Sequence, residues 1–254
     1  MNGLARQVVL VLVTLSTLGM NYLSTALPLF GNSNRQVSDS LPNAFTPAGL
    51  TFAVWGPIFM GLLVFAVYQA LPAQRGRRYD RLFWPFLLSN LFNSAWLCAF
   101  QSLHFGLSVA VMALLLASLV WLYLTLRDMK LQRAERFTLG VPVSLYLAWI
   151  TVAAVANVTV WLVSLGFVDG LAGLSGPFWS ALMLLVAALI GATFLARGRD
   201  LAFGLVLAWA FYGVYLARPQ QGTVVTGVVI AAALLLFGLA LGFFRRARHP
   251  LLTH

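Results

Sequence analysis

Long uncharged stretches, each mostly apolar, recur along the chain with short polar or basic segments between them. They occupy residues 7 to 28, 49 to 72, 82 to 102, 106 to 126, 138 to 164, 176 to 196, 201 to 217 and 222 to 244, and none contains Asp, Glu, Lys or Arg. An α-helix rises about 1.5 Å per residue and the hydrocarbon core of a bilayer is roughly 30 Å thick, so a crossing takes about 20 such residues. The pattern predicts an all-α integral membrane protein with eight transmembrane helices.

Composition agrees. Of 254 residues, 61% are hydrophobic and 9% charged, with a mean hydropathy of +0.90, more apolar surface than a soluble domain of this length can bury. The basic residues set an orientation, because Lys and Arg collect in short cytoplasmic loops. Arg6 precedes the first stretch; Arg75, Arg77, Arg78 and Arg81 follow the second; Arg127, Lys130, Arg133 and Arg136 follow the fourth; Arg197 and Arg199 follow the sixth; Arg245, Arg246 and Arg248 follow the eighth. Of the 16 basic residues, Arg35 and Arg218 alone fall on the other side. Both termini are therefore expected in the cytoplasm, with a bacterial-type inner membrane as the location. The net charge of +10 reads as topology signal plus attraction to anionic headgroups, so the lipid bilayer is the expected partner and no nucleic acid is needed.

Residues 1 to 24 have the basic start and apolar run of a signal peptide, but no small-x-small cleavage site follows and the apolar pattern continues through Leu27, which favours a first crossing. Asn2 stands where myristoylation requires Gly. The single cysteine, Cys98, excludes an internal disulfide and a cysteine metal cluster. The longest connection, residues 29 to 48, carries Gly31, Asn32, Asn34, Asp39, Pro42, Asn43 and Pro47, and is either a lid or binding loop on the outer side or a solvated connector. Residues 166 to 175 form a Gly-rich connection. Spans before Leu165 are rich in Asn and Trp and those after it are plainer aliphatic helices, which suggests two domains, 1 to 165 and 166 to 254.

Polar residues inside the spans carry the functional information, since an unpaired amide in hydrocarbon costs several kcal/mol and must face protein, water or ligand. Thr14, Thr17, Asn21 and Thr25 share a helical face in the first span; Asn90, Ser94 and Gln101 do so in the third, with Asn93 and Trp96 beside them; Thr151, Asn157 and Thr159 accompany Trp149 and Trp161 in the fifth. These seams are expected to face one another. Either they are interhelical glue, helped by small residues such as Ala153, Ala154 and Ala156, or they line a ligand site. Trp84, Trp121 and Trp179 near span ends suit an interfacial belt. Trp55, Trp96 and Trp149 lie deeper, where an indole offers a flat apolar face and one donor to a large rigid ligand.

At these residues the chain resembles the TspO/MBR family, the tryptophan-rich sensory proteins that include the translocator protein. The fifth span, Tyr146-Leu147-Ala148-Trp149 with Asn157 and Trp161 at fixed spacing, looks like the family's fifth helix. Asn93-Ser94-Ala95-Trp96 repeats its Asn-x-x-Trp, with Phe100 and Gly106 following. Phe45-Thr46-Pro47 and Trp55-Gly56-Pro57-Ile58-Phe59 resemble its Trp-Thr-Pro-Pro and Phe-Gly-Pro-Val-Trp, at a longer separation. The resemblance covers about 165 residues and implies a five-helix bundle, followed here by three further helices, 176 to 244, that the five-helix family lacks. It also implies a pocket for a porphyrin or other haem-pathway tetrapyrrole, or in some relatives a sterol, beneath the first long loop. Trp96, Trp149, Asn93, Asn157 and Trp161 are the lining residues it points to, with Trp55, Asn90, Phe45 and Asn21 as further candidates. The first loop lacks the family's tryptophans, so Phe45 substitutes or the ligand differs. A homodimer is allowed, and the extra helices could replace a dimer partner. Cholesterol-type patterns, Val120 to Tyr123 to Arg127 and Leu207 to Tyr212 to Arg218, recur by chance in membrane proteins.

Side-chain catalysis is not expected. His104 sits in a short loop, His249 and His254 in the tail, and no charged residue lies at membrane depth, so neither an acid/base pair nor a metal site forms there. Asp39 and Asp169 read as solvated loop residues. Degradation of a bound porphyrin by photochemistry needs only ligand and tryptophan and stays open. The expectation is a ligand-binding or sensory membrane protein, not an enzyme, with no covalent or metal-held cofactor. A facilitator for a neutral or apolar solute competes with it; ion-coupled transport would want midplane charges and broken helices, and Trp55-Gly56-Pro57 alone predicts a kink. A scaffold regulating other membrane proteins is the third class.

Overall fold

The computed structural model describes residues 2–27, 30–41, 43–167, 170–171 and 173–248. Pro42, Asp169, His249 and His254 lie outside the described residues. The chain is an all-α membrane protein, and a helix occupies each of the eight apolar stretches. With two short helices in the connections, the α-helices in order are α1 (Gly3–Ala26), a loop helix α2 (Asn34–Ser40), α3 (Trp55–Ala70), α4 (Phe83–Gln101), α5 (Phe105–Asp128), a single turn α6 (Arg133–Glu135), α7 (Val141–Ser164), α8 (Gly176–Gly198), α9 (Leu201–Ala217) and α10 (Gly222–Arg248). Among the described residues, six helices are long and apolar enough to cross a membrane by length and composition. Of the other two apolar stretches, α4 is diluted by Asn90, Asn93 and Gln101, and α9 has 17 residues.

Local chemistry sets the helix ends. The Asn2 side chain caps α1 by accepting from the Leu4 amide, and Asp200 caps α9 by accepting from Phe203. Ser33 and Gln36 form a reciprocal capping box that starts α2. The second apolar stretch changes helix type just ahead of Pro57. A 3-10 helix, Gly49–Val54, leads into α3 at Trp55, so Pro57 sits in the first α-helical turn, where its missing N–H leaves nothing unsatisfied. Before α7 the backbone makes a π turn, Arg136–Gly140. Pro142 lies just inside α7 and cannot donate to the carbonyl of Thr138, so the ladder widens there. The Gly-rich connection contains a two-residue-per-strand antiparallel hairpin, β1 (Gly170–Leu171) with β2 (Leu174–Ser175).

The chain forms two compact units that are not separated by one cut. Met1–Leu41 with Ala53–Ser164 make the first, and Pro42–Phe52 with Leu165–His254 the second. In the first, α1 neighbours α3, α3 neighbours α7, α7 neighbours α5, α5 neighbours α4 and α4 returns to α1, which closes a five-helix ring. Gly61 lets α3 approach α7, since a Cβ there would lie 3.0 Å from the Pro142 ring. One end of the ring is braced by ions. Arg6, expected as a loop charge ahead of the first span, is instead fully buried inside α1, donating to Asp80 and to the carbonyls of Gln74 and Gly76. Arg78 and the Tyr79 hydroxyl both donate to buried Glu135, at 3.0 and 2.6 Å, and Arg81 pairs with Asp128 at 3.6 Å. Burial, reinforced by the Glu135 carboxylate, pushes the Tyr79 phenol above its ordinary pKa, so it stays a proton donor.

In the second unit α8, α9 and α10 pack pairwise. Small residues carry the α8–α10 contact: Gly227 lies against Ala181, Gly238 against Ala192 and Gly242 against Leu195, the close approach that membrane helices use in place of a hydrophobic drive. Residues 43–52 run onto α9 like a strap. The Ala48 amide donates to the Gly213 carbonyl (2.9 Å), Trp209 Nε1 to the Thr51 carbonyl (2.9 Å) and Arg218 to the Asn43 carbonyl (2.8 Å). Gly213 is required, because a Cβ would sit 1.9 Å from Thr51 Oγ1.

A side chain at Gly238 would meet the Ala192 backbone at 2.6 Å. Gly238→Leu is expected to destabilise this unit by about 2 kcal/mol, the scale of overpacking, read as a lower thermal midpoint of the detergent-solubilised chain. Gly222→Ala, which meets nothing within 4 Å, is expected to leave it unchanged.

Candidate functional site

The ring buries its carboxamides and the indoles of Trp96 and Trp149 because the buried stripe of each helix repeats at three or four residues. On α1 the stripe is Thr14, Thr17, Asn21 and Ser24. Ser24 takes the place expected for Thr25, which is exposed, because a step of three keeps the face turned inward where a further step of four rotates it out. On α4 it is Asn90, Asn93, Trp96, Leu97, Phe100 and Gln101, and on α7 it includes Tyr146, Trp149 and Asn157; Ser94 and Thr159 are only half-buried.

Side-chain contacts tie four of these helices into one seam. Asn21 Nδ2 donates to Asn93 Oδ1 at 2.7 Å, joining α1 to α4. Asn93 is also the polar neighbour of the Tyr146 hydroxyl on α7, at a geometry short of a hydrogen bond. The Trp55 ring on α3 then meets Tyr146 edge-on at 6.1 Å and Trp149 at 6.3 Å, and stacks on Phe59 at 5.1 Å. Trp96 stacks on Phe100 at 5.2 Å, and Phe100 meets Phe105 of α5. Toward the ion-braced end, the buried Phe65 and Phe86 rings stack at 4.2 Å.

The remaining candidates lie elsewhere. Asn157 accepts from Ser108 of α5 at 3.1 Å, and the half-buried Trp161 lies on Gly106, whose Cβ position is 3.4 Å from its Nε1; together they make an α5–α7 pair. Asn90 donates to its own helix at Phe86, while its carbonyl accepts from the Thr17 hydroxyl of α1 at 3.2 Å. Phe45 is buried in the strap of the second unit, so the structure does not group it with the ring residues. Its loop is set by Asn43, whose side chain accepts from the amides of Phe45 and Thr46.

Several buried polar atoms of the ring have no hydrogen-bond partner among the described residues: Asn93 Nδ2, Asn157 Nδ2, Trp96 Nε1, the Tyr146 hydroxyl and Asn90 Oδ1. Each such atom carries a penalty of about 1–3 kcal/mol unless water or a ligand meets it. Three of the five can only donate, so the complementary group is an acceptor set against aromatic faces. Sequence reasoning gave Tyr146 no site role, though its place one turn before Trp149 signals the shared face. It also missed α2, whose Asn34 accepts from Gln101 at 3.2 Å while Gln101 donates to the Ser24 carbonyl.

The Asn21–Asn93 bond is expected to couple α1 to α4 by about 1 kcal/mol, within the range for membrane side-chain hydrogen bonds. A double-mutant cycle of Asn21→Ala and Asn93→Ala in a denaturant unfolding assay reads it.

Residues 7–242 match the family model described as TSPO-like protein. The match runs through both units and includes the three C-terminal helices. No curated protein and no solved structure matches the chain.

Proposed function

We propose that this chain, which belongs to the TSPO-like protein family, is a membrane ligand-binding or sensory protein whose five-helix ring takes up a flat hydrophobic molecule, a porphyrin or related tetrapyrrole. The observation that carries the reading is the set of buried donors without an acceptor among the described residues, Asn93 Nδ2, Asn157 Nδ2 and Trp96 Nε1, in the same ring as the Trp55–Tyr146–Trp149 cluster. Aromatic faces supply stacking area, and amides and an indole N–H suit carbonyl or carboxyl oxygens at the edge of the molecule. No step of side-chain catalysis is assigned to it. The ion-braced end of the ring faces the cytoplasm of a bacterial-type inner membrane in this reading, in keeping with the basic loops gathered there.

Titrating protoporphyrin into the detergent-solubilised protein is expected to quench tryptophan emission saturably. Trp149→Ala and Asn157→Ala are each expected to weaken the apparent affinity by about tenfold, the equivalent of one lost buried contact of ~1.4 kcal/mol. Linear, non-saturable quenching, or saturable quenching indifferent to both substitutions, would sink this site.

A further inference from the structure

The ion-braced end of the ring carries more positive charge than the fold consumes. Its three carboxylates are all engaged internally: Asp80 with Arg6, Glu135 with Arg78 and Asp128 with Arg81. Arg77, Arg127, Lys130 and Arg133 are exposed there and, among the described residues, have no ion-pair partner. Exposed Arg75 and Arg136 spend one N–H each on uncharged oxygens, the Gln7 side chain and the Leu131 carbonyl.

These cations are held on a fixed frame. Arg78 bridges the Met129 carbonyl (2.7 Å) and Glu135, and Tyr79 clamps the same carboxylate, so the α3–α4 and α5–α7 connections are locked together. Lys130 follows the end of α5 with φ +48, and the Gln132–Glu135 capping box fixes the turn that bears Arg133. Large apolar side chains flank the cluster: Trp84 is 58% exposed at the start of α4, and Phe137 is 64% exposed directly after Arg136. Aromatic rings at span ends settle at headgroup depth, which places the cations level with lipid phosphates, and guanidinium groups match phosphate oxygens in pairs.

The geometry points to an anionic phospholipid site at this end of the five-helix ring, in which Arg77, Arg127, Lys130 and Arg133 bind headgroup phosphate while Trp84 and Phe137 rest on the acyl-chain boundary. Preorganisation by the internal ion pairs keeps the ordering cost of binding low. The site is separate from the ring interior and stands whatever that interior binds.

The test is thermal unfolding of the full chain in a neutral detergent, titrated with short-chain phosphatidylglycerol or, in parallel, short-chain phosphatidylcholine. Phosphatidylglycerol is expected to raise the midpoint by several degrees and phosphatidylcholine to raise it little. Arg133→Gln is expected to weaken the apparent phosphatidylglycerol affinity about fivefold, the equivalent of ~1 kcal/mol per basic side chain at an anionic surface. Arg127→Gln with Lys130→Gln and Arg133→Gln is expected to abolish the shift, and Arg35→Gln, at the other end, to leave it intact. If the triple variant fails to fold, the single one carries the comparison. Equal stabilisation by both lipids, a full shift retained by Arg133→Gln, an equal shift from inorganic phosphate alone, or a larger one from a polyglutamate peptide would overturn the proposal.

Discussion

A carboxamide inside a bilayer has nowhere to turn but to the protein, and the five-helix unit is arranged around that fact. Asn21 and Asn93 meet each other, Asn157 meets Ser108, and Gln101 reaches the end of α1 and the loop helix α2. Each bond joins two elements that sequence alone leaves unconnected, so the polar residues specify which helices are neighbours while the Leu, Val and Phe between them fill space. The same residues also define where the fold stops satisfying itself. An amide that gives its oxygen to one neighbour still has two N–H donors to place, and in Asn93 and Asn157 those donors find no acceptor among the described residues.

The eight helices were legible because crossing length and the absence of charge are coarse, additive properties. Inward faces were legible to within one residue, and the exchange of Ser24 for Thr25 shows the limit: polar identity cannot say which of two adjacent residues completes a face. Partners were less legible. Nothing in the periodicity tells Asn93 from Asn90, yet one bridges helices through its side chain and the other through its backbone carbonyl. The short helix α2 escaped because it is polar apart from Val37, although Ser33 and Gln36 stand at capping-box spacing. Arg6 looked like a topology charge because its counter-ion, Asp80, is 74 positions away. Phe45 was grouped by motif order with residues that the fold assigns to another unit.

The C-terminal helices looked plain in sequence, and their plainness is their packing chemistry. Gly227, Gly238 and Gly242 are bare so that α10 can touch the backbone of α8, where larger side chains would hold the helices apart. Their inclusion in the family match fits a unit that has its own internal requirements, among them the strap of residues 43–52 on α9.

That strap also constrains biogenesis. A chain inserted N-terminus first releases Asn43 and Thr51 early, yet the groups that bond their carbonyls, Arg218 and Trp209, are 175 and 158 positions further on. Until α9 emerges from the ribosome, roughly 10–30 s later at about 5–20 residues per second, those carbonyls must be held by water or by the insertion machinery. Translation therefore begins the second unit with its strap and cannot close it until Trp209 and Arg218 have been made.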